Sequence, residues 1–416
     1  MRRDLLGTSR RGGPAPYRMA AAGIALVVGL VGGGLIGLIA QGESRSQLPE
    51  AAQPSAAPSF RSPAVRKLTP DTLLAWVPGG LPSGLGAGVA KLSRVDHVVS
   101  VLSGTAWLTS STAADGTTVD QPPPGLAIPL EVAGADPDRY APFLSPADRS
   151  FVPALTSGEA LLGTTSAELR GLGPGSTLAF GARKVRVAGV VSDAAIGAHE
   201  VLVSRGVAQS LRVQRDRYLL IDPARGASRR NLTKRIRSLL PPGGLLRVRG
   251  PGETPFFRQG DAVLAPIKLK ALFGEFAAKP VTGGFLDVDP KWVRSHIVVA
   301  SVRILGKVRC NRAVIPQLRE ALAEVEREGL AKFIDRKDYA GCYSGRFLNR
   351  NPEAGISHHA WGIAFDINAS TNQFGQTPHL DSRIVAIFRK WGFTWGGRWL
   401  LPDGMHFEFV SFPAAG

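Results

Sequence analysis

Two short runs near the C-terminus carry residues that can bind a metal ion. In the run that starts at Gly362, small or polar residues alternate with apolar ones, which predicts a strand with Asp366 on its polar face. His359 precedes this run, where a loop can fold its imidazole back towards Asp366. In the second run, 404–409, the same alternation puts His406 on the polar face. Two imidazoles and one carboxylate with an open fourth position are typical of a catalytic zinc site.

Both runs lie within longer motifs. The first reads Ser-x-His-x-x-Gly-x-Ala-x-Asp over 357–366, and the second reads Asp-x-x-His-Phe-Glu over 403–408. In this order the motifs resemble the zinc D-alanyl-D-alanine carboxypeptidases, a group that includes vancomycin-resistance carboxypeptidases and dipeptidases and several phage endolysins. The resemblance covers about 270–411. It implies an α+β domain in which a small antiparallel sheet, with flanking helices, holds one zinc ion.

The resemblance implies roles for the matching residues. His359, Asp366 and His406 would be the zinc ligands. Asp403 lies three residues before His406, where the family keeps its catalytic carboxylate. It would take a proton from the attacking water and deliver it to the leaving amine. Glu408 competes for this role, because it shares a strand face with His406, but our preferred interpretation is that Glu408 orients a ligand.

Two further residues are implied to contact substrate. Arg346 matches the arginine upstream of the first motif and would hold the scissile carbonyl or the developing oxyanion. Its surroundings depart from the Tyr-Arg-Ser form of many relatives, and Arg350 lies close enough in the sequence to compete. Ser357 would donate a hydrogen bond to the substrate. His358 is interpreted as a neighbour of the site, because the family spacing selects the histidine that follows it.

The elements that must position these residues have their own signals. Asn311 can cap a helix whose apolar residues recur at intervals of four, four and three, and Asp381 can cap a second amphipathic helix. Cys310 and Cys342 are the only cysteines. Outside the cell such a pair is more often bonded than free, so we predict a disulfide, with two buried thiols as the alternative.

The segment 67–250 is predicted to be a separate α+β domain. It contains short β-like runs divided by Gly and Pro, and a helix is predicted over 159–172. The stretch 158–193 resembles the extracytoplasmic domain of MacB-type ABC transporter permeases. His199 and Glu200 lie here, but no second histidine follows at the spacing of an H-E-x-x-H zinc motif. A connector over 251–285 then leads to the peptidase-like domain, 286–416.

The N-terminal segment predicts the compartment. Residues 19–40 form an uncharged apolar run long enough to cross a bilayer, and a basic tail at 1–18 precedes it. The positive-inside rule then predicts a single-pass bacterial membrane protein whose later residues lie outside the cytoplasm. A cleaved signal peptide is the alternative. Residues 41–66, rich in Pro, Ala and Ser, are predicted to be a linker.

The net charge of +17 indicates an anionic neighbour. For an exported chain this favours wall polymers or lipid headgroups and disfavours nucleic acid. The leading hypothesis is a membrane-anchored zinc peptidase that hydrolyses peptidoglycan stem peptides, most directly as a D-alanyl-D-alanine carboxypeptidase. An endopeptidase of the same family, a non-catalytic wall-binding scaffold and a transport-accessory protein are the alternatives.

Overall fold

The computed structural model describes residues 72–413. The predicted basic tail, apolar span and linker all lie outside the described residues. Between residues 72 and 413, no helix combines the length and the hydrophobicity that a bilayer crossing requires. The described residues all belong to one compact unit. They form an α+β fold with several separate sheets.

The largest sheet has ten strands and lies in the N-terminal part of the described chain. Its strands are β1 Leu73–Trp76, β2 Val95–Leu108, β3 Ser110–Thr112, β4 Ile128–Ala135, β5 Ala160–Gly163, β6 Thr177–Phe180, β7 Arg183–Val191, β8 Val201–Ser204, β9 Asp216–Pro223 and β10 Arg247–Arg249. Their order across the sheet is β10-β1-β9-β2-β4-β8-β5-β7-β6-β3. Most neighbours are antiparallel, but β4 pairs with β8 and β5 pairs with β7 in parallel.

Short helices connect these strands. They are α1 Leu85–Ala90, α2 Pro137–Tyr140, α3 Val152–Thr156, α4 Thr164–Arg170, α5 Arg205–Ser210 and α6 Arg229–Arg237. The helix predicted over 159–172 is wrong in its first part, because Ala160–Gly163 is strand β5 and only Thr164–Arg170 is helical. The run Ala160, Leu161 and Leu162 is fully buried between β7 and β8, so tertiary burial overrides its helical propensity.

A short helix, α7 Pro266–Phe273, follows the ten-stranded sheet and is joined to it by buried charges. Lys270 Nζ lies 2.8 Å from Glu200 Oε1, and Arg170 Nη2 lies 3.0 Å from Glu200 Oε2. Glu275 follows α7, and its Oε1 lies 2.5 Å from Arg170 Nη2 and 2.8 Å from Lys270 Nζ. Glu200 therefore connects the sheet, through buried ion pairs, to the segment that leads to the C-terminal part. The sequence had shown only that this glutamate does not belong to an H-E-x-x-H zinc motif.

The C-terminal part consists of small antiparallel sheets and three helices. The strands are β11 Ala278–Val281, β12 Phe285–Val288, β13 Ile297–Val302, β14 Gly306–Asn311, β15 Ala364–Asp366, β16 Phe393–Trp395 and β17 His406–Phe409, and the helices are α8 Pro290–His296, α9 Ile315–Arg327 and α10 Ser382–Lys390. β11 pairs with β12, β13 pairs with β14, and the last three strands form a sheet of order β15-β17-β16.

Both predicted caps are confirmed. The Asn311 side chain accepts a hydrogen bond from the amide of Ala313 in a 3₁₀ turn that leads into α9, and Asp381 caps α10. The apolar faces of α9 and α10 are buried in one core with the aromatic rings of Phe365 and Phe407. This core supports the back of the β15-β17-β16 sheet, and the polar residues of the two motifs lie on its other side.

Candidate metal centre and active site

The pairing of β15 with β17 brings the two motifs together. Asp366 lies directly opposite His406 in this antiparallel register, and Ala364 lies opposite Glu408. Residues directly opposite in an antiparallel pair project from the same face, with their Cβ atoms about 5 Å apart. The alternation predicted from the sequence therefore places one carboxylate and one imidazole side by side.

His359 reaches the same place from a short 3₁₀ turn, His358–Trp361. Ser357 begins this turn, because its hydroxyl accepts a hydrogen bond from the amide of His359 at 3.4 Å. Gly362 ends the turn at φ 67°, and a Cβ there would lie 2.8 Å from the amide nitrogen of Asn311. Only glycine combines this conformation with so close an approach to β14. The turn therefore has a fixed position relative to β15.

The orientation of the His359 ring is set by the neighbouring chain. Cys342 and Cys310 form a disulfide, as predicted, with their Cα atoms 5.3 Å apart. The carbonyl of Cys342 lies 2.7 Å from His359 Nδ1. Because a carbonyl only accepts, Nδ1 carries the proton, and Nε2 presents its lone pair to the site. A histidine that binds a metal through one nitrogen commonly donates from the other in this way.

Three candidate metal-binding side chains converge at the centre, and Asp366 faces the two histidines with both of its oxygens. His359 Nε2 is 3.2 Å from Asp366 Oδ2 and 3.3 Å from His406 Nδ1, and His406 Nδ1 is 2.9 Å from Asp366 Oδ1. A tetrahedral zinc ion with bonds of about 2.0–2.1 Å separates neighbouring donor atoms by about 3.3 Å. The residues therefore fit a metal ion such as zinc in donor type, number and spacing. Among residues 72–413, this is the group of His, Cys, Asp and Glu side chains close enough to share an ion.

The charges around the centre favour a cation. Burial alone would raise the pKa of Asp366, but the imidazoles of His359 and His406 hold it well below its usual range. Burial lowers the pKa of His359, and so favours the neutral ring that a metal requires. Burial also opposes charge on His406, yet hydrogen bonding to Asp366 and Glu408 raises its pKa to about 10. These carboxylates stabilise a positive charge at the same point where the three donor atoms meet.

Asp403 lies in the loop between β16 and β17. Its amide donates to the carbonyl of Gly396 at 2.9 Å, and its own carbonyl accepts from the amide of His406 at 3.2 Å. Burial raises the pKa of Asp403 to about 6, with His406 acting in the opposite direction. Its Oδ1 is buried and has no hydrogen-bond partner among the described residues. A carboxylate that titrates near neutrality and has a free oxygen is suited to proton transfer.

Glu408 has different surroundings from Asp403. It is buried, with Oε2 at 2.7 Å from His358 Nδ1 and 3.5 Å from His406 Nε2, while Oε1 accepts from the amide of Val263 at 3.3 Å. Its contacts hold the far side of the His406 ring, which agrees with an orienting role. His358, interpreted from the sequence as a neighbour of the site, contacts Glu408 directly.

Arg346 is the predicted substrate arginine, and the structure brings it to the edge of the centre. Its Nη2 lies 4.0 Å from Asp366 Oδ2, and its side chain is mostly buried. Burial lowers the pKa of Arg346, while the charges of Asp366 and Asp403 raise it. Arg350, the competing arginine, stacks instead on the ring of Phe285 at 4.6 Å.

Ser357 is almost fully buried, and its hydroxyl caps the turn that carries His359, while its amide donates to the carbonyl of Arg346 at 3.1 Å. A contact with substrate remains a prediction. Two aromatic residues that the sequence did not assign also border the centre. The Trp399 ring lies 5.2 Å from that of His406. Burial and the charge of Asp366 raise the pKa of Tyr339, whose buried hydroxyl has no partner in the described part of the chain.

Comparison with known proteins agrees with the sequence motifs. Residues 350–409 match the family model described as D-alanyl-D-alanine carboxypeptidase. This span includes all three candidate metal-binding residues, Asp403 and Glu408, and excludes Arg346. The predicted resemblance of the C-terminal part to this family is confirmed. No curated protein matches the chain.

Two solved structures are similar to part of the chain. One is the periplasmic region of MacB from Actinobacillus actinomycetemcomitans, with 14% identity, a TM-score of 0.31, and coverage of 45% of this chain and 92% of that chain. The other is the extracellular domain of the noncanonic ABC-type transporter YknZ from Gram-positive bacteria, with 14% identity, a TM-score of 0.28, and coverage of 41% and 92%. Both are of the kind that the sequence resemblance named for the middle segment.

Proposed function

We propose that this protein is a zinc-dependent peptidase that hydrolyses peptidoglycan stem peptides, acting most directly as a D-alanyl-D-alanine carboxypeptidase. The observation that carries the proposal is the convergence of His359, Asp366 and His406 near Asp403, whose buried Oδ1 has no hydrogen-bond partner among residues 72–413. The match of residues 350–409 to the carboxypeptidase family model supports the same reaction class.

In this proposal, different residues of the protein carry out different steps of the hydrolysis. When bound, zinc lowers the pKa of a coordinated water to about 7 and polarises a carbonyl group. Asp403 accepts a proton from the attacking water as the oxygen–carbon bond forms, and gives that proton to the leaving amine nitrogen as the carbon–nitrogen bond breaks. Arg346 contributes positive charge to the side where the carbonyl oxygen becomes negative. For a carboxypeptidase, the products are free D-alanine and a peptide shortened by one residue.

The cellular setting is part of the proposal. The apolar run at 19–40 would anchor the chain in the bacterial membrane with residues after 40 outside the cytoplasm. The linker at 41–66 would keep the active site close to the membrane. The substrate within reach is then wall peptide near the cell surface, and the net charge of +17 would favour contact with anionic wall polymers or lipid headgroups.

The test uses the full chain purified in detergent and dialysed against buffered zinc. Metal content is measured by elemental mass spectrometry. Defined muropeptides are incubated with the protein, and the masses of the products are determined by mass spectrometry. Loss of one D-alanine indicates the carboxypeptidase, whereas loss of a dipeptide or cleavage within the stem indicates a relative with another specificity. His359→Ala is expected to abolish both zinc binding and hydrolysis.

The matched control is His379→Ala, because His379 is exposed and lies outside the metal cluster. This variant is expected to retain both properties. A wild-type chain that binds no zinc stoichiometrically, or that leaves every muropeptide intact, contradicts the proposal. Full complementation of a deletion strain by His359→Ala would instead favour the non-catalytic scaffold.

A further inference from the structure

The loop that carries Asp403 is held by residues from two parts of the molecule. This loop, residues 396–403, connects β16 to β17, and we call it the base loop. Within the C-terminal part, the amide of Gly375 donates to the carbonyl of Pro402 at 2.7 Å, and Trp395 Nε1 donates to the carbonyl of Gly404 at 2.7 Å. The middle of the loop, around Leu400, takes its contacts from elsewhere.

Leu400 is anchored to the segment that follows β10. Its amide donates to Asp261 Oδ2 at 2.6 Å. Its side chain packs against the buried cluster of the ten-stranded sheet that contains Trp76, Tyr218 and Phe257. A hydrogen bond from its backbone amide to a carboxylate and an apolar side-chain contact therefore both fix Leu400, three positions before Asp403.

Asp261 is itself fixed to the ten-stranded sheet. Its Oδ1 lies 2.7 Å from Arg247 Nη1 and 2.6 Å from Arg249 Nη2, and only 6% of its side chain is exposed. Both arginines belong to β10, the edge strand of the sheet. Charge-assisted hydrogen bonds of this kind are short and strong when they are buried. One carboxylate thus connects the edge strand to the base loop.

A second contact from the same segment is made to Glu408, next to the candidate metal centre. The amide of Val263 donates to Glu408 Oε1 at 3.3 Å, and Glu408 in turn lies against His406. Residues 261–263 therefore contact the loop that carries the base and the glutamate that faces a candidate metal ligand. The hydrogen bonds and ion pairs of Asp261 and Leu400 join them to Arg247, Arg249 and each other, and not to the three candidate ligands.

We propose that Asp261 is a positioning residue for Asp403, and that the edge of the ten-stranded sheet is thereby a working part of the peptidase. This inference rests on the proposed function. Proton transfer requires a base within hydrogen-bond reach of the water, and a displacement of about 1 Å can cost about 100-fold in rate. Docking of Leu400 on Asp261 and the sheet sets the position of Asp403 relative to candidate ligands that lie on β15, on β17 and in the His359 turn.

The experiment compares Asp261→Ala, Asp261→Asn and Leu400→Ala in the full, zinc-loaded chain. Asp261→Ala and Leu400→Ala are expected to lower kcat by about 10- to 100-fold, with zinc stoichiometry retained. The acid limb of the pH profile is expected to move, because the burial that raises the pKa of Asp403 depends on the position of the loop. Asp261→Asn keeps an acceptor for the Leu400 amide and is expected to recover part of the rate.

Asp193→Ala is the matched control. Asp193 is similarly buried, accepts from a backbone amide at 3.0 Å and pairs with Lys268 of α7 at 2.7 Å, but it has no contact with the base loop. It is expected to lower thermal stability while leaving kcat and the pH profile unchanged. A folded Asp261→Ala protein with the wild-type kcat and pH profile overturns the proposal.

Hydrogen exchange separates this inference from the proposed function. Asp261→Ala is expected to speed amide exchange across 396–403, and Asp193→Ala is expected to leave it unchanged. If the wild-type chain hydrolyses no muropeptide, the proposed function fails while the exchange measurement still decides whether Asp261 holds the loop. Unchanged exchange in Asp261→Ala contradicts the docking whatever the activity.

Discussion

At the scale of single residues, two carboxylates near His406 have opposite properties. Glu408 is buried between His358 and His406, and these imidazoles hold its pKa below the usual range despite burial. Asp403 has no such partner at Oδ1, and burial raises its pKa to about 6. Titratable groups whose environments move their pKa values apart commonly take different roles in a reaction. Here the difference supports the proposed roles, in which Asp403 is the base and Glu408 orients His406.

Asp403→Asn tests the first assignment. The amide is nearly isosteric but cannot accept the proton, so kcat is expected to fall by about 100- to 10,000-fold. Zinc stoichiometry is expected to remain unchanged, because Asp403 is not among the three converging donors. Steady-state hydrolysis of a D-Ala-D-Ala peptide and metal analysis on the same samples give the two readings. An Asp403→Asn protein with the wild-type kcat would contradict the assignment.

The pH dependence follows from the same residue. A base must be ionised to act, so activity is expected to rise as pH increases through the pKa of Asp403. This pKa is about 6 from burial and the side-chain charges, and a bound dication lowers it further by attraction. The acid limb of kcat/KM should therefore lie at or below about pH 6. Zinc content is measured at each pH, since loss of metal from protonated histidines also lowers activity.

Glu408→Gln is expected to act through the metal. Glu408 contacts the His406 ring, so removing its charge is expected to leave this candidate ligand less firmly oriented. Changes of this kind typically cost about 10- to 100-fold in metal affinity. Competition with a chromophoric chelator measures the affinity. Activity at saturating zinc is expected to stay within about tenfold of wild type. A loss of kcat as large as that of Asp403→Asn, at full zinc loading, would instead make Glu408 the base.

At the scale of elements, the His359 turn depends on one glycine. Gly362 has φ 67°, and a Cβ would come within 2.8 Å of Asn311 N and of Ile297 Cδ1. The turn is thus packed directly against β13 and β14. This packing fixes the position of the turn, and the hydrogen bond to the Cys342 carbonyl fixes the orientation of the His359 ring.

Gly362→Ala is therefore expected to destabilise the protein and to weaken zinc binding. The matched control is Gly171→Ala, because Gly171 has the same left-handed backbone, φ 63° and ψ 32°, but nothing lies within 4 Å of its added Cβ. The left-handed conformation alone costs about 1–2 kcal/mol for a residue with a Cβ. Thermal melts should show a larger loss for Gly362→Ala. Equal losses would mean that close packing at the turn is unimportant.

At the scale of the whole molecule, the two sequence regions that resemble different protein classes share buried contacts. Glu200 of the sheet region pairs with Lys270 and Arg170, and Asp261 connects β10 to the base loop. Glu353, next to the first motif, pairs with Arg215 at 2.7 Å. The peptidase-like part is thus joined to the ten-stranded sheet through both ionic and apolar contacts.

Glu200→Ala tests the strength of this connection. It leaves the buried cations Lys270 and Arg170 without one of their carboxylates, and breaking a buried ion pair from one side typically costs about 3–5 kcal/mol. Glu159→Ala is the control, since its pair with Arg186 is largely exposed and should be worth about 0–1 kcal/mol. Urea denaturation of the full chain measures both. Similar losses for the two variants would show that the buried cluster adds little.

The sequence by itself determined the candidate donor set, the strand faces, both helix caps, the paired cysteines and the resemblance of the C-terminal part to the carboxypeptidase family. These features depend on residue type and short spacing, which local geometry fixes. It misassigned Ala160–Gly163 as helix, because burial between β7 and β8 is set by distant strands.

The tertiary structure alone decided what depends on long-range contacts. It set Asp366 opposite His406, fixed the His359 ring on Cys342, placed Glu408 but not Asp403 Oδ1 against imidazole partners, and joined Asp261 to Leu400. Each of these pairings depends on where remote segments pack and on how much water they exclude. Short spacing along the chain carries no information about either, which is why the candidate ligands were predictable and their coupling to the large sheet was not.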